Sequence, residues 1–194
     1  TGCLSLTIYH NFLTAAVLLL SLFSCRQTKT ADYKTWEVYR GDDGVNAYSD
    51  LDQINTKNVS RLKVAWTYRT GDKSEYFSVE CNPIIINDTL YGISPKLKTF
   101  AINAGTGKEI WVFDPFAKDG KGGGFNRGIT YWKNGNEKRI FVFAESRLMA
   151  IDAVTGKQIM SFGENGFVDL NKGLRDFART EWHERVGNTS PGII

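Results

Sequence analysis

Two histidines and three cysteines are the whole supply of imidazole bases and soft metal ligands in this chain, and their placement restricts its chemistry. His10 and His183 stand far apart, as do Cys3, Cys25 and Cys81, so the roughly four clustered ligands of a structural zinc site are missing. A Ser/His/Asp hydrolase would have to use His183 as its base, and no Gly-x-Ser-x-Gly turn presents a serine to it. The run Gly120-Lys-Gly-Gly-Gly124 lacks the spacing and the Ser or Thr of a phosphate loop, which argues against a nucleotide there. The scattered cysteines argue equally against disulfide stapling. A net charge of +3, from 24 basic and 21 acidic residues evenly mixed, lacks the clustered Lys and Arg that displace counterions from nucleic acid.

The charges are distributed along the chain in a way that divides it. Residues 1–24 contain no Lys, Arg, Asp or Glu, and Phe12 to Phe23 is an apolar run of about a dozen residues. That is too short to cross a ~30 Å hydrocarbon core as a helix and has the length of a signal-peptide core. Leu22-Phe23-Ser24-Cys25 resembles a bacterial lipobox, in which the cysteine is lipidated and becomes the new first residue. Residues 1–24 are therefore expected to be a signal peptide and 25–34 a polar tether whose acylated Cys25 holds the protein on a periplasm-facing membrane surface. The usual basic segment ahead of such a core is not seen in Thr1 to Asn11.

Elements able to position a site have to come from residues 35–194, and self-comparison is informative there. Phe100-Ala-Ile-Asn-Ala-Gly-Thr-Gly-Lys-Glu-Ile-Trp-Val-Phe113 returns as Met149-Ala-Ile-Asp-Ala-Val-Thr-Gly-Lys-Gln-Ile-Met-Ser-Phe162, with Ala101/Ala150, Gly107/Gly156, Lys108/Lys157 and Phe113/Phe162 all 49 apart. Each copy reads as an apolar strand, a strand ending in Asn or Asp, a Thr-Gly-Lys turn and a further strand. The Asx side chain can bond the turn backbone, and Gly supplies a positive φ. Leu62 to Gly71 has the pattern of the last strand of an earlier unit, with Trp66 lying 45 residues before Trp111. Hairpin signals stand at Asn87-Asp88 and at Asn134-Gly135, each between apolar runs. Short strands in units of roughly 45 residues are the signature of a β-propeller, and about two and a half units fit. The chain is accordingly expected to be all-β and to be the N-terminal portion of a longer protein, with Ser190 to Ile194 opening another strand. Alone, it is expected to be partly ordered and prone to aggregate through unpaired edges.

The repeat at 101–111 resembles the tryptophan-docking motif of quinoprotein propellers, in which the Trp packs against the next blade. The resemblance continues in order through Trp36-Glu-Val-Tyr-Arg-Gly-Asp42, Gln53-Ile-Asn-Thr-Lys-Asn-Val59, Arg69-Thr-Gly-Asp72, Glu80-Cys-Asn-Pro-Ile84, Arg127-Gly-Ile-Thr-Tyr-Trp132, Phe162-Gly-Glu-Asn-Gly166 and Thr189-Ser-Pro-Gly192. This set is similar to the opening of pyrroloquinoline quinone (PQQ)-dependent glucose and alcohol dehydrogenases. The resemblance implies an eight-bladed propeller, incomplete here, that holds PQQ with a divalent cation, usually calcium. It also implies oxidation of an aldose such as glucose, or of an alcohol, with electrons passing to ubiquinone or cytochrome c.

Matched position by position, Glu80 falls on an acid that hydrogen-bonds the cofactor, Arg127 on an arginine that meets a quinone carboxylate, and Thr189 on a hydroxyl donor, with Ser190 beside it. The bland readings are a strand-edge acid, a surface arginine and a strand-start hydroxyl. The base and the metal ligands of the family fall on later blades, so no catalytic or metal residue is expected here and the fragment alone should be inactive. Relatives carry a vicinal cysteine pair or a histidine just before the matching Arg-Gly, whereas Lys121-Gly-Gly-Gly-Phe-Asn126 has neither and leaves Phe125 as a substitute. Cys81 is expected to be a buried, inert thiol. A lipoprotein propeller that serves as a non-enzymatic scaffold for outer-membrane protein assembly is the alternative that shares the repeats and the lipobox.

Overall fold

Three consecutive isoleucines, stiff at χ1 and followed by Asn87-Asp88, favour a short extended segment that folds back at once. In the computed structural model, which describes residues 34–118, 120, 122–173 and 186–194, this segment is β1 (Ile84–Ile86). It pairs antiparallel with β2 (Thr89–Ile93) in a register that sets Ile86 opposite Thr89. β3 (Thr99–Asn103) and β4 (Glu109–Phe113) complete a four-stranded meander in the order β1-β2-β3-β4. A second meander follows from β5 (Thr130–Asn134), β6 (Glu137–Ala144), β7 (Arg147–Asp152) and β8 (Phe167–Asp169), again in chain order. Among the described residues the only helical element is a 3-10 turn at Val59–Arg61.

The repeated turn is built as its residues dictate. Asn103 Oδ1 accepts hydrogen bonds from the Thr106 N–H and hydroxyl, both at 2.9 Å, and the Gly107 N–H closes the turn onto the Asn103 carbonyl at 2.8 Å. Asp152 does the same for Thr155, at 2.7 Å twice, with Gly156 N–H on the Asp152 carbonyl at 2.9 Å. Onto each turn lies a tryptophan from the preceding unit. Trp66 Nε1–H donates to the Ala104 carbonyl at 3.0 Å and Trp111 Nε1–H to the Ala153 carbonyl at 3.1 Å. Both indoles cover the turn glycine so closely that a Cβ on Gly107 or Gly156 would come within 2.6 Å of the ring. The docking that the resemblance implied is thus present twice, on acceptors 49 residues apart.

Docking of Trp111 joins the two meanders into one hydrophobic core. Ile84, Ile93 and Ala101 from the first sheet pack in the same buried cluster as Ile140, Val142 and Ile151 from the second. Tyr91 reaches across as well, its hydroxyl donating to the Ala153 carbonyl at 3.1 Å. Asp72 is buried at 5% exposure and receives the Ser94 hydroxyl, which ties the segment before the first sheet to the end of β2.

Three expected strands take a different form. Leu62 to Gly71 forms no ladder among the described residues, although Trp66, Tyr68 and Thr70 alternate toward the protein with period two. Its inner face packs on the first sheet, Tyr68 meeting Phe100 at 4.9 Å and donating to Glu109 Oε2 at 2.7 Å, while no described strand lies beside it to pair its backbone. Gln158 to Phe162, the counterpart of β4, keeps one bridge, Ile151 with Gln158, and then leaves the sheet. The cause is the turn Gly163-Glu-Asn-Gly166, with φ of 61°, 55° and 88° at Gly163, Asn165 and Gly166, which reverses the chain so that β8 takes the fourth place. Ser190 to Ile194 likewise forms no ladder, although the Thr130 hydroxyl donates to the Gly192 carbonyl at 2.8 Å.

Two glycines, one from each copy of the repeated turn, separate the effect of docking from that of turn composition. Gly156 has φ 72° and sits under Trp111, so Gly156→Ala should cost about 2–4 kcal/mol from backbone strain and overpacking together. Gly105, whose added Cβ would meet only Asn103 Oδ1 at 3.5 Å, should tolerate alanine within about 0.5 kcal/mol. Thermal unfolding of the two variants checks the contrast.

Candidate functional site

Short segments lead into β1 and β5, and a third passes beside them at 188–192. The Asn82 N–H donates to the Arg127 carbonyl at 2.8 Å, and the Arg127 N–H donates to the Thr189 carbonyl at 2.7 Å, so the three run side by side. Glu80, 47 residues before Arg127, and Thr189, 62 residues after it, are thereby brought beside it. Arg127 Nε lies 4.0 Å from Glu80 Oε2, and an Arg127 terminal N–H faces Thr189 Oγ1 at 3.4 Å. Ser190 follows with its backbone N–H held by Asn188 Oδ1 at 2.9 Å, and among the described residues its hydroxyl does not enter the Glu80, Arg127 and Thr189 group.

Asn126 and Gly128 were given no role from sequence, yet they fix where Arg127 points. Asn126 is 4% exposed; its side-chain N–H donates to the Phe143 carbonyl at 3.0 Å and its Oδ1 accepts the Gly128 N–H at 2.9 Å. Gly128 is wedged against neighbours, a Cβ there falling 3.1 Å from the Tyr39 ring and 3.3 Å from Pro191. The signal available in the sequence was the Asn-Arg-Gly order itself, an Asx side chain that can fold onto the next turn of backbone, but its partner in β6 is not legible from spacing.

The side chains of this group remain open to solvent, 55% for Arg127 and 37% for Glu80. Contacts of 4.0 and 3.4 Å are longer than the ~2.7–2.9 Å of a charge-assisted hydrogen bond, so the guanidinium keeps its donor fork. A permanently charged planar fork with an acceptor carboxylate and a hydroxyl beside it suits a flat ligand that carries a carboxylate of its own. Among the described residues no group of three His, Cys, Asp or Glu side chains gathers to hold a metal ion. Cys81, next to Glu80, turns away into an apolar cleft lined by Trp66, Tyr68, Leu90 and Phe100, where burial pushes its thiol up to about 11 despite a hydrogen bond from the Ile93 backbone. Cys25 and His183 lie outside the described residues.

Sheets of four antiparallel strands docked in series by tryptophan, with a guanidinium, an acid and a hydroxyl where their first strands begin, define a β-propeller of the quinoprotein class. Residues 36–194 match the PQQ family described as the glucose/ethanol/alcohol dehydrogenase β-propeller domain, and the chain belongs to this family. It is 34% identical over 187 residues to quinoprotein glucose dehydrogenase A of Acinetobacter calcoaceticus, covering 82% of this chain and 23% of that protein. It is 38% identical over 131 residues to the dehydrogenase subunit of the quinone alcohol dehydrogenase of Gluconobacter oxydans, covering 65% of this chain and 16% of that protein. The crystal structure of quinohemoprotein alcohol dehydrogenase from Comamonas testosteroni superposes with a TM-score of 0.63 at 30% identity, covering 77% of this chain and 21% of that one. The chain thus spans about a fifth of the length of these relatives. Sugar and alcohol enzymes both occur among them, and the scaffold alternative draws no support from them.

A thiol at about 11 is only about one-thousandth thiolate at pH 8, against about a quarter for an exposed cysteine. Cys81 should therefore resist iodoacetamide at pH 8 in the folded protein and react on unfolding, as followed by mass of its peptide.

Proposed function

We propose that this chain forms the first blades of a PQQ-dependent dehydrogenase that oxidises the hydroxyl of an aldose such as glucose, or of an alcohol. The observation that carries the reading is the convergence of Glu80, Arg127 and Thr189 from three separate segments onto one exposed group. The donor set fits PQQ. Arg127 would hold a carboxylate of the cofactor through its fork, while Glu80 would accept, and the Thr189 hydroxyl would donate, a hydrogen bond at its rim. When bound, PQQ would supply a quinone that takes up the hydride equivalent of the substrate carbinol, which is two electrons with one proton, while the hydroxyl proton would pass to the general base.

The contribution of this chain is to bind and orient. Asn126 anchors the Arg127 backbone to β6, and the backbone bonds from Asn82 to Arg127 and from Arg127 to Thr189 keep the three segments side by side, so less ordering remains to be done on binding. Calcium is part of the proposal, but the described residues gather no ligand set for it, so its ligands and the general base would come from elsewhere in the protein. Ubiquinone or a cytochrome c would take the electrons. Acylation of Cys25 would hold the enzyme at the membrane, facing the periplasm.

The complete protein, reconstituted with PQQ and calcium, should reduce an artificial dye in the presence of glucose or ethanol, and the preferred substrate would identify the type. Arg127→Ala should raise the PQQ dissociation constant about 10- to 100-fold, the loss of about 1.5–3 kcal/mol that a charged hydrogen bond carries. A folded protein that binds no PQQ would overturn the reading. Cys25→Ala should abolish incorporation of labelled palmitate and shift the protein from the membrane to the soluble fraction.

A further inference from the structure

The two sheets can be laid on one another residue by residue through their ladders. Tyr91 pairs with Ala101 as Phe141 pairs with Ala150, Ile93 with Thr99 as Phe143 with Leu148, and Ile84 with Tyr91 as Thr130 with Phe141. Ile102 meets Glu109 as Ile151 meets Gln158, so the place that Trp111 holds in the first sheet falls to Met160 in the second, 49 residues on. In the first sheet this face is buried against the second: Ile84, Tyr91, Ile93, Ala101 and Trp111 are each at or below 9% exposure. In the second sheet Ile140 and Val142 turn inward to that shared core, so Phe141 and Phe143 lie on the opposite face. There Thr130, Phe141 and Phe143 are half-buried, and Met160 is 61% exposed.

The two faces differ in what they can grip. The first docks with two donors, the Trp111 Nε1–H and the Tyr91 hydroxyl, both on the Ala153 carbonyl. At the matching places the second face offers a thioether and a phenyl ring, and neither is a donor. Phe141 packs instead on Phe162, with ring centroids 5.4 Å apart. A ring pair beside a polarizable, unbranched methionine makes a surface that gains by burial and adapts to an irregular partner, but it cannot hold a turn carbonyl.

The backbone indicates what covers this face. The Asn82 N–H donates to the Arg127 carbonyl where the chain enters the second sheet, and the Arg127 N–H donates in turn to the Thr189 carbonyl. Residues 188–192 therefore stand to the second sheet as the Arg127 segment stands to the first, and the Thr130 hydroxyl holds the Gly192 carbonyl there at 2.8 Å. We infer that the outward face of the second sheet is covered by a further antiparallel sheet of this same protein, entered through 188–192, and that this seam docks through Met160 and Phe141 with no donor at the indole and phenol positions. Held by apolar burial where the described seam also has two hydrogen bonds, it opens more readily than the seam of Trp111. The inference concerns packing and does not rest on the PQQ reading.

The test is oxidation of the complete protein by dilute hydrogen peroxide, followed by the mass of the peptides that hold Met149 and Met160, the two methionines of this chain. Met149, 3% exposed in the core shared by the described sheets, reports the opening of that core. In the folded protein Met160 should oxidise at least about tenfold more slowly than in the unfolded chain, because the further sheet covers it, and faster than Met149, because its seam opens first. Phe141→Tyr, which supplies a phenol where Tyr91 has one, should slow Met160 by about threefold to tenfold and leave Met149 unchanged, with circular dichroism to show that the variant is folded. Met160 that oxidises in the folded protein as fast as in the unfolded chain would overturn the docking. Protection that disappears on dilution, together with a dimer in light scattering, would give the face to a second copy and overturn the assigned partner. Protection equal to that of Met149, or unmoved by Phe141→Tyr, would overturn the donor-free seam. None of these readouts involves PQQ, so the inference and the functional reading fail separately.

Discussion

An indole lying flat on a glycine turn is the interaction on which the other arrangements depend. Trp111 can donate to the Ala153 carbonyl only because Gly156 has no Cβ and adopts a φ of 72° that most residues resist. The Asp152 side chain holds the turn in that shape through bonds of its own, accepting from Thr155 and Val154 within the turn. Docking then sets one sheet against the next at a fixed distance, and the isoleucines of both close into a single core. Trp66 repeats the arrangement on Gly107, so the same constraint passes from unit to unit.

Stacking sheets in this way places the beginnings of their first strands next to each other, and that neighbourhood is where the charged group forms. Its rigidity comes from backbone, through the bonds of Asn82, Arg127 and Thr189, and its chemistry from side chains that the backbone leaves facing solvent. Alternation decides which residue does which job. Asn126 points inward and anchors, Arg127 points outward and is available, and Cys81 turns into an apolar cleft that keeps its thiol protonated.

The second sheet shows how far a repeat can be trusted. Gly107 and Gly156 occupy equivalent turns, and the acceptors Ala104 and Ala153 keep the 49-residue offset. Phe113 and Phe162 share that offset too, yet Phe113 of β4 pairs with Thr99 of β3, whereas Phe162 turns back onto Ile159. Four residues, Gly163 to Gly166, account for the divergence: their positive-φ turn makes a reversal easier than a longer fourth strand. The Gly-Glu-Asn-Gly segment was visible in the chain, but propensity alone did not rank it above the strand pattern before it.

By itself, the sequence determined the elements whose causes are local. The hairpins at Asn87 and Asn134, the Asx turns of the repeat, the all-β class and the propeller-type repetition all follow from side chains acting on backbone a few residues away. The resemblance also pointed to Glu80, Arg127 and Thr189 as one group. Only the tertiary structure decided that these three meet, because their contact depends on backbone bonds between segments dozens of residues apart. It alone also decided that Asn126 is the anchor and that Leu62 to Gly71 goes without a described ladder partner. Such contacts depend on how sheets pack, and packing is settled by the fit of whole faces against one another, which no local stretch of sequence encodes.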